Sequence, residues 1–433
     1  MIFNELKIRS LIAITIVSLI SIGVSTSCTK AASKTAEACS IGAFTGTSLP
    51  PIGSSSGNTM SVTVNGANCS QLPNDQYPNQ PCVSVTLCST ATPTSCQTIN
   101  NILLDTGSYG LRLFNSVITV PLTPVTTAGG TQTLAECVQF GDGSTEFGPV
   151  KYAYVKLGNE PKVEVPILVI ADPNFPNTGT PCDTPLADTS PAHTHFNGIL
   201  GVGLFASDCG NGCNIDSANE QYFTCQGGNC TCGATADILA QVTNPISALP
   251  TDNNGLLLSF PSVAAGGVST VTGTMFLGVD TQANNASSGA TSGTLTADGY
   301  AQIKSKFGAF SSTKLASFID SGSSVLFIPS IAALPDCVDG SGFFCPSSTQ
   351  NLSSINYNSA GTASPASTVN FSIENGTTLD NSGNLVFSTL GASSGSDTSA
   401  YMDWGLPFFF GKNVFVGIEA THSSLGTGPY WAY

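Results

Sequence analysis

Two short stretches of this chain, half its length apart, are near copies of each other. Ile102-Leu103-Leu104-Asp105-Thr106-Gly107-Ser108 is echoed by Ser317-Phe318-Ile319-Asp320-Ser321-Gly322-Ser323. Each is an apolar run of strand character that delivers one Asp into a Gly turn, with a hydroxyl residue on either side of the Gly. Each is followed by a second apolar run, Leu111 to Phe114 and Val325 to Ile328. The two Asp lie 215 residues apart in a chain of 433, the separation expected when each half of a duplicated fold contributes one of them. Carboxylates brought face to face across a pseudo-twofold axis cannot both ionise easily, so they share a proton and can divide acid from base.

The rest of the chain fits a large β protein. Only 9% of residues are charged, and short Val, Ile, Leu and Phe runs broken by Gly, Pro and Asn replace any long helical period, which predicts an all-β fold. A length of 433 residues is enough to build a core in two lobes. The formal charge of -15 leaves no basic stripe to meet phosphates and excludes nucleic acid as a partner. It suits an acidic working pH, since carboxylates lose charge as pH falls.

The N-terminus reads as an export signal over residues 1–28. Lys7 and Arg9 precede an apolar run from Leu11 to Val24, too short to span a bilayer, and Ser25-Thr26-Ser27 then places small residues before Cys28. The pattern resembles a degenerate lipobox, so lipidation of Cys28 is favoured over ordinary cleavage after Ala31. The expected location is the bacterial cell envelope, lipid-anchored, or the outside of the cell if secreted. Membrane contact would then run only through the lipid. Residues 29–58 read as a flexible tether, with no inhibitory prosegment expected. Of 15 Cys, removing or lipidating Cys28 leaves an even 14. Cys88 with Cys96, and Cys337 with Cys345, look like local staples. Cys209, Cys213, Cys225, Cys230 and Cys232 could hold zinc, but their irregular spacing favours a disulfide-tied loop.

From Met60 onward the pattern is strand-like, with a hairpin from Val83 through Ile99 feeding Asp105. Asn253-Asn254-Gly255 marks a crossing between a first lobe, 59–252, and a second, 253–433. The stretches Asn284 to Ser292 and Ser359 to Thr368 read as surface loops. After the first Asp come Val138-Gln139-Phe140-Gly141-Asp142-Gly143-Ser144 and Tyr152 to Gly158, then Phe196-Asn197-Gly198-Ile199-Leu200-Gly201. The second half adds Gly273 to Asp280, Gly299 to Ile303, and Trp404-Gly405-Leu406-Pro407-Phe408-Phe409-Phe410-Gly411. In that order, from about residue 80 to 420, the chain resembles the pepsin-like aspartic peptidases. The resemblance implies a bilobal β fold with a central cleft, a flap hairpin at Phe140–Gly143, and an apolar-Gly segment beneath each Asp loop. The chain's ending, Gly428-Pro429-Tyr430-Trp431-Ala432-Tyr433, also resembles a bacterial family of exported proteins of unknown function.

In such a site Asp105 and Asp320 hold one water, the ionised member taking its proton and the protonated one polarising a scissile carbonyl. Gly107 and Gly322 allow close approach to the carboxylates. Ser108 and Ser323 hydrogen-bond the outer oxygens. The resemblance further implies that Thr106 and Ser321 reach across to the opposite loop. Three departures stand out. Phe140 occupies the flap position usually held by Tyr, able to cover substrate but without a hydroxyl. The Trp that commonly partners that Tyr is missing from Tyr109 to Phe114, and Tyr109 is a candidate replacement for the hydroxyl. Asp403 stands where an aliphatic residue is expected.

No cofactor or metal is expected. His193-Thr194-His195 lies in a Pro/Thr-rich segment without a third His and reads as a surface loop, and His422 is isolated. The expected activity is an aspartic-type endopeptidase acting on peptide or protein, as a monomer. The alternatives are a weak or inactive pepsin-fold envelope lipoprotein that binds peptide or glycan, and a purely structural surface protein. The intact pair favours the first, since an idle site has no need for two facing carboxylates.

Overall fold

The computed structural model describes residues 57–433, apart from 67–68, 70–76, 90–94, 128–129, 227, 291–292, 363–364 and 398. Cys28, the export signal and nearly all of the tether lie outside the described residues. The expected all-β architecture is the one observed, with a two-part arrangement in which each half carries one Asp loop. The α-helices among the described residues are four or five residues long.

In the first half the strands that matter for the site are β1 (Thr59–Val64), β2 (Pro81–Cys88), β3 (Cys96–Asp105), β4 (Tyr109–Phe114), β5 (Thr133–Gln139), β6 (Thr145–Lys156), β7 (Val163–Ile170) and β8 (Gly198–Val202). The second half contributes β9 (Gly255–Ser259), β10 (Val271–Leu277), β11 (Ile303–Lys306), β12 (Leu315–Ile319), β13 (Leu326–Ile328), β14 (Met402–Trp404) and β15 (Asn413–Gly417). β2 and β3 form the predicted hairpin, its ends tied by the Cys88–Cys96 disulfide.

The same small motif occurs twice. β8 lies parallel to β3, with Leu103 opposite Ile199 and Asp105 opposite Gly201, and antiparallel to β4. β14 lies parallel to β12, with Phe318 opposite Asp403, and antiparallel to β13. Each Asp therefore leaves the end of a strand whose neighbour is an apolar-Gly segment fetched from far along the chain. A third group of strands joins the halves: β1 pairs with β10, β10 with β9, β9 with β15, and β15 with Tyr430–Ala432, all antiparallel. One buried cluster accordingly runs from Met60 and Val62 to Trp431 and Tyr433.

Among the described residues six disulfides form. The expected staples Cys88–Cys96 and Cys337–Cys345 are present, and the dense cysteine segment is tied by Cys209–Cys213 and Cys225–Cys230. Cys69–Cys82 and Cys137–Cys182 were not foreseen. Two low-complexity stretches are more ordered than expected. Asn285 is fully buried, its side chain binding Leu277 O and the Thr281 hydroxyl, and Ala366 to Thr368 belong to a strand, Ala366–Ile373. At Asn285 a polar side chain satisfies buried backbone, and at 366–368 the chain pairs with Ile355 to Tyr357 in a hairpin, neither of which composition alone can reveal.

Candidate active site

The two Asp loops close on each other with matched bonding. Gly107 N donates to Oδ1 of Asp105 and Gly322 N to Oδ1 of Asp320, each at 2.7 Å. Ser108 Oγ donates to Oδ2 of Asp105 at 2.5 Å, and Ser323 Oγ lies 2.7 Å from Oδ2 of Asp320. Both carboxyls are fully buried, each against the glycine of the opposite loop. Two buried carboxyls so placed cannot both ionise easily.

The flanking residues explain why the loops can come so near. A Cβ on Gly107 would stand 2.6 Å from Cγ of Asp320, and one on Gly322 would stand 2.8 Å from Cγ of Asp105. Each glycine is thus demanded by the opposite Asp, not by its own. Thr106 Oγ1 donates to Ile319 O at 3.0 Å and accepts from Ser321 N at 2.9 Å. Ser321 Oγ donates to Leu104 O at 2.8 Å and accepts from Thr106 N at 3.1 Å. These four bonds lock the two loops together in a low-dielectric setting, where each is hard to replace. The second loop is also held by Asn79, whose side-chain amide donates to Ser324 O at 2.7 Å and Phe387 O at 3.0 Å.

The two carboxyls share a frame but differ in electrostatics. Burial raises the Asp105 pKa, while hydrogen bonds from Asp320, Ser108 and Gly107 and the charge of Arg112 pull it back. Burial lifts Asp320 well above the ordinary carboxylate range, and the charges of Asp105 and Asp403 push the same way.

Two buried charge-bearing residues stand behind the loops, one in each half of the chain. Arg112 is buried on β4 and reaches Glu136 Oε1 at 3.1 Å and Asp208 Oδ2 at 3.2 Å, with Glu146 4.0 Å away. Its Nη1 also donates to Tyr109 O at 2.6 Å. Asp403 is fully buried on β14, its Oδ2 2.6 Å from Ser323 Oγ. An Arg inside an apolar run of a chain with few charges was the available signal, because burial without partners is prohibitive.

The flap segment forms a hairpin of β5 and β6, closed by Phe140 N donating to Ser144 O and Gly143 N to Phe140 O, both at 2.9 Å. Asp142 Oδ1 accepts from Ser144 N and Oγ, which fixes the turn. The expectation that Phe140 covers substrate is corrected. Its ring is only 2% exposed and belongs to the buried cluster of Leu134, Val138 and Phe196. Strand alternation puts 134, 138 and 140 on one inward face. The tip instead presents exposed Gly141 and half-buried Asp142. Burial raises the Tyr401 phenol, and the charges of Asp403, Asp142 and Asp320 push the same way.

Tyr109 is buried, edge-on to Phe205 at 4.9 Å, and its phenol is pushed up by burial and by the charges of Asp105, Glu419 and Asp320. It stays a neutral hydroxyl within the field of both carboxyls. His193 sits 3.5 Å from Asp188, and His422 Nδ1 lies 2.8 Å from the Thr427 hydroxyl. Among the described residues no three His, Cys, Asp or Glu side chains gather in a way that could hold a metal ion. An open cavity of about 650 Å³ lined by Phe260, Lys412 and Tyr433 touches neither Asp.

Comparison with known proteins adds a family and a distant likeness. Residues 54–433 match the family model described as "Protein of unknown function (DUF3443)". Nothing matches among curated protein sequences. Among solved structures, the crystal structure of an aspartic proteinase from Irpex lacteus aligns with a TM-score of 0.45 at 15% identity, covering 87% of this chain and 96% of that chain. A likeness so distant speaks to no individual residue.

Proposed function

The chain belongs to that family, and we propose that it is an aspartic-type endopeptidase hydrolysing peptide bonds with a water activated between Asp105 and Asp320. The observation that carries this reading is the reciprocal packing of the two loops, in which each glycine exists to admit the opposite carboxyl. A packing role alone would be served by apolar residues, because facing carboxyls are costly to bury.

The chemistry follows from one shared proton. The ionised carboxyl takes a proton from the water as its oxygen attacks the scissile carbonyl carbon, and the protonated carboxyl gives its proton to the carbonyl oxygen. The resulting diol collapses as a proton passes to the leaving amine and the C–N bond breaks. Both carboxyls are shut from solvent, so a segment covering the pair has to move to admit substrate. Six disulfides support an oxidising, exported setting, with a lipid anchor at Cys28 as its attachment. A second reading, a cleft that only binds peptide or glycan, draws on Phe140, since a flap without an outward aromatic grips substrate less.

Cleavage of a mixed peptide library at several acidic pH values, with and without a statine-type inhibitor, separates the two. Turnover should be present in the wild type and fall about 100- to 10,000-fold in Asp105→Asn and in Asp320→Asn, with folding retained. A wild type that cleaves nothing and leaves the inhibitor unbound rejects the enzyme reading.

A further inference from the structure

Ser323 stands between two carboxyls but has only one proton to give. Its Oγ lies 2.7 Å from Oδ2 of Asp320 and 2.6 Å from Oδ2 of Asp403. A hydroxyl donates once, so one of these contacts must be a bond that a carboxyl O–H donates to Ser323. Two contacts in a row, Asp320 to Ser323 and Ser323 to Asp403, therefore require two protons, of which Ser323 supplies one and a carboxyl the other. The facing Asp105 and Asp320 share a further proton in the peptidase reading, since two buried carboxyls so placed cannot both ionise easily. When the Asp105/Asp320 pair holds the single proton its chemistry needs, the other sits on Asp403.

The surroundings of Asp403 suit a neutral acid. It is fully buried, and its register partners on the two neighbouring strands are Phe318 and Phe327. The titratable groups nearby are Asp320 beside it through Ser323, Asp105 behind Asp320, and Tyr401, whose ring stacks on Phe318 and which also feels Asp142 of the hairpin. The first lobe has no counterpart: the matching position is Ile199, and Ser108 donates to Asp105.

We propose that Asp403 is a positioning residue for the pair, the outer acid of a relay Asp403–Ser323–Asp320, an assignment that rests on the peptidase reading. As Asp320 gives its shared proton to the substrate carbonyl oxygen, its Oδ2 gains the Ser323 proton. The Ser323 O–H bond breaks while Ser323 Oγ takes the proton of Asp403, whose O–H bond breaks to leave a carboxylate. Every proton is accounted for, the negative charge moves outward to Asp403, and the steps reverse as the diol returns its proton.

Asp403→Asn tests this, because its amide N–H still donates to Ser323 but has no proton to release. The relay predicts a kcat lower by about a hundredfold at similar KM. The rate in mixed H2O and D2O should curve with deuterium content in the wild type and curve less in the variant. Asp403→Leu, which removes the donor as well, should be at least as slow. An Asp403→Asn enzyme with wild-type kcat and an unchanged isotope profile overturns the relay. The infrared band of protonated carboxyl groups gives a readout without substrate. At acidic pH the wild type minus Asp403→Asn difference should show one such band, with Glu146 and Asp320 cancelling. Absence of that band also overturns the proposal. A wild type without any hydrolysis rejects the peptidase reading instead, and the infrared difference still decides whether Asp403 holds a proton.

Discussion

The two Asp loops are built alike and charged differently. Seven residues beyond its Asp the first lobe has Arg112, and the second has Phe327. Opposite these on the neighbouring strand stand Ile199 and Asp403. Each lobe thus spends one of two equivalent positions on a charge-bearing side chain, a cation near Asp105 and a carboxyl near Asp320. Arg112 favours the ionised form of Asp105, whereas Asp403 offers Asp320 no cation and disfavours its ionised form whenever Asp403 is itself charged. A pseudo-symmetric backbone would leave the shared proton equally at home on either side. The side chains behind the loops make the two surroundings unequal, a cation behind one carboxyl and a further acid behind the other.

The strongest way to break the comparison is to remove the cation. Arg112→Met leaves Glu136 and Asp208 buried without a positive partner. Its expected cost is about 3–5 kcal/mol in chemical denaturation, the range for stripping one member from a buried ion network. A loss below about 1 kcal/mol would mean that Arg112 is not what compensates the first lobe.

A smaller effect sharpens what is symmetric. Gly107→Ala and Gly322→Ala should each cost about 1–3 kcal/mol, as overpacking does in a closed core. The cause lies across the axis, so Gly107→Ala should be partly relieved by Asp320→Ala and not by Asp105→Ala. A double-mutant cycle measures that coupling directly. Relief by the same-lobe Asp instead would show that each loop is strained on its own account.

How much of this could be read from the chain depends on locality. The Asp turns, their hydroxyls and the β2–β3 hairpin are short-range features, and strand alternation with Gly turns announces them. The hydroxyl clamp of Thr106 and Ser321 followed from resemblance, its partners Ile319 O and Leu104 O being unreadable from either loop alone. Asp403 was visible as a departure from an aliphatic position, yet its contact with Ser323 depends on a register set by β12 and β14. Arg112 was passed over inside an apolar run because its partners come from three separate segments. Phe140 was misplaced because a loop motif was matched without continuing the β5 alternation one residue further.

The mildest test asks which lobe makes the protein prefer acid. Asp320 in the second lobe, and Glu146 and Asp208 in the first, are all held by burial well above the ordinary carboxylate range. Neither Glu146 oxygen has a hydrogen-bond partner, and its closest cation contact is Arg112 Nε at 4.0 Å. Above the unfolded carboxylate values of 3.8 and 4.5, the unfolded chain has released protons that the folded chain still binds. Stability must then fall as pH rises, by up to about 1.4 kcal/mol per unit for each such group until its folded pKa is passed. Below 3.8 the opposite holds for Asp172 and Asp280, whose pKa values are lowered despite burial, through Lys151 for one and Ser424 for the other. The midpoint of thermal unfolding should therefore peak in mild acid and decline toward neutrality. Glu146→Gln and Asp320→Asn should each flatten that decline. Equal flattening would make the acid preference a property of both lobes, while flattening by Asp320→Asn alone would place it in the carboxyl pair.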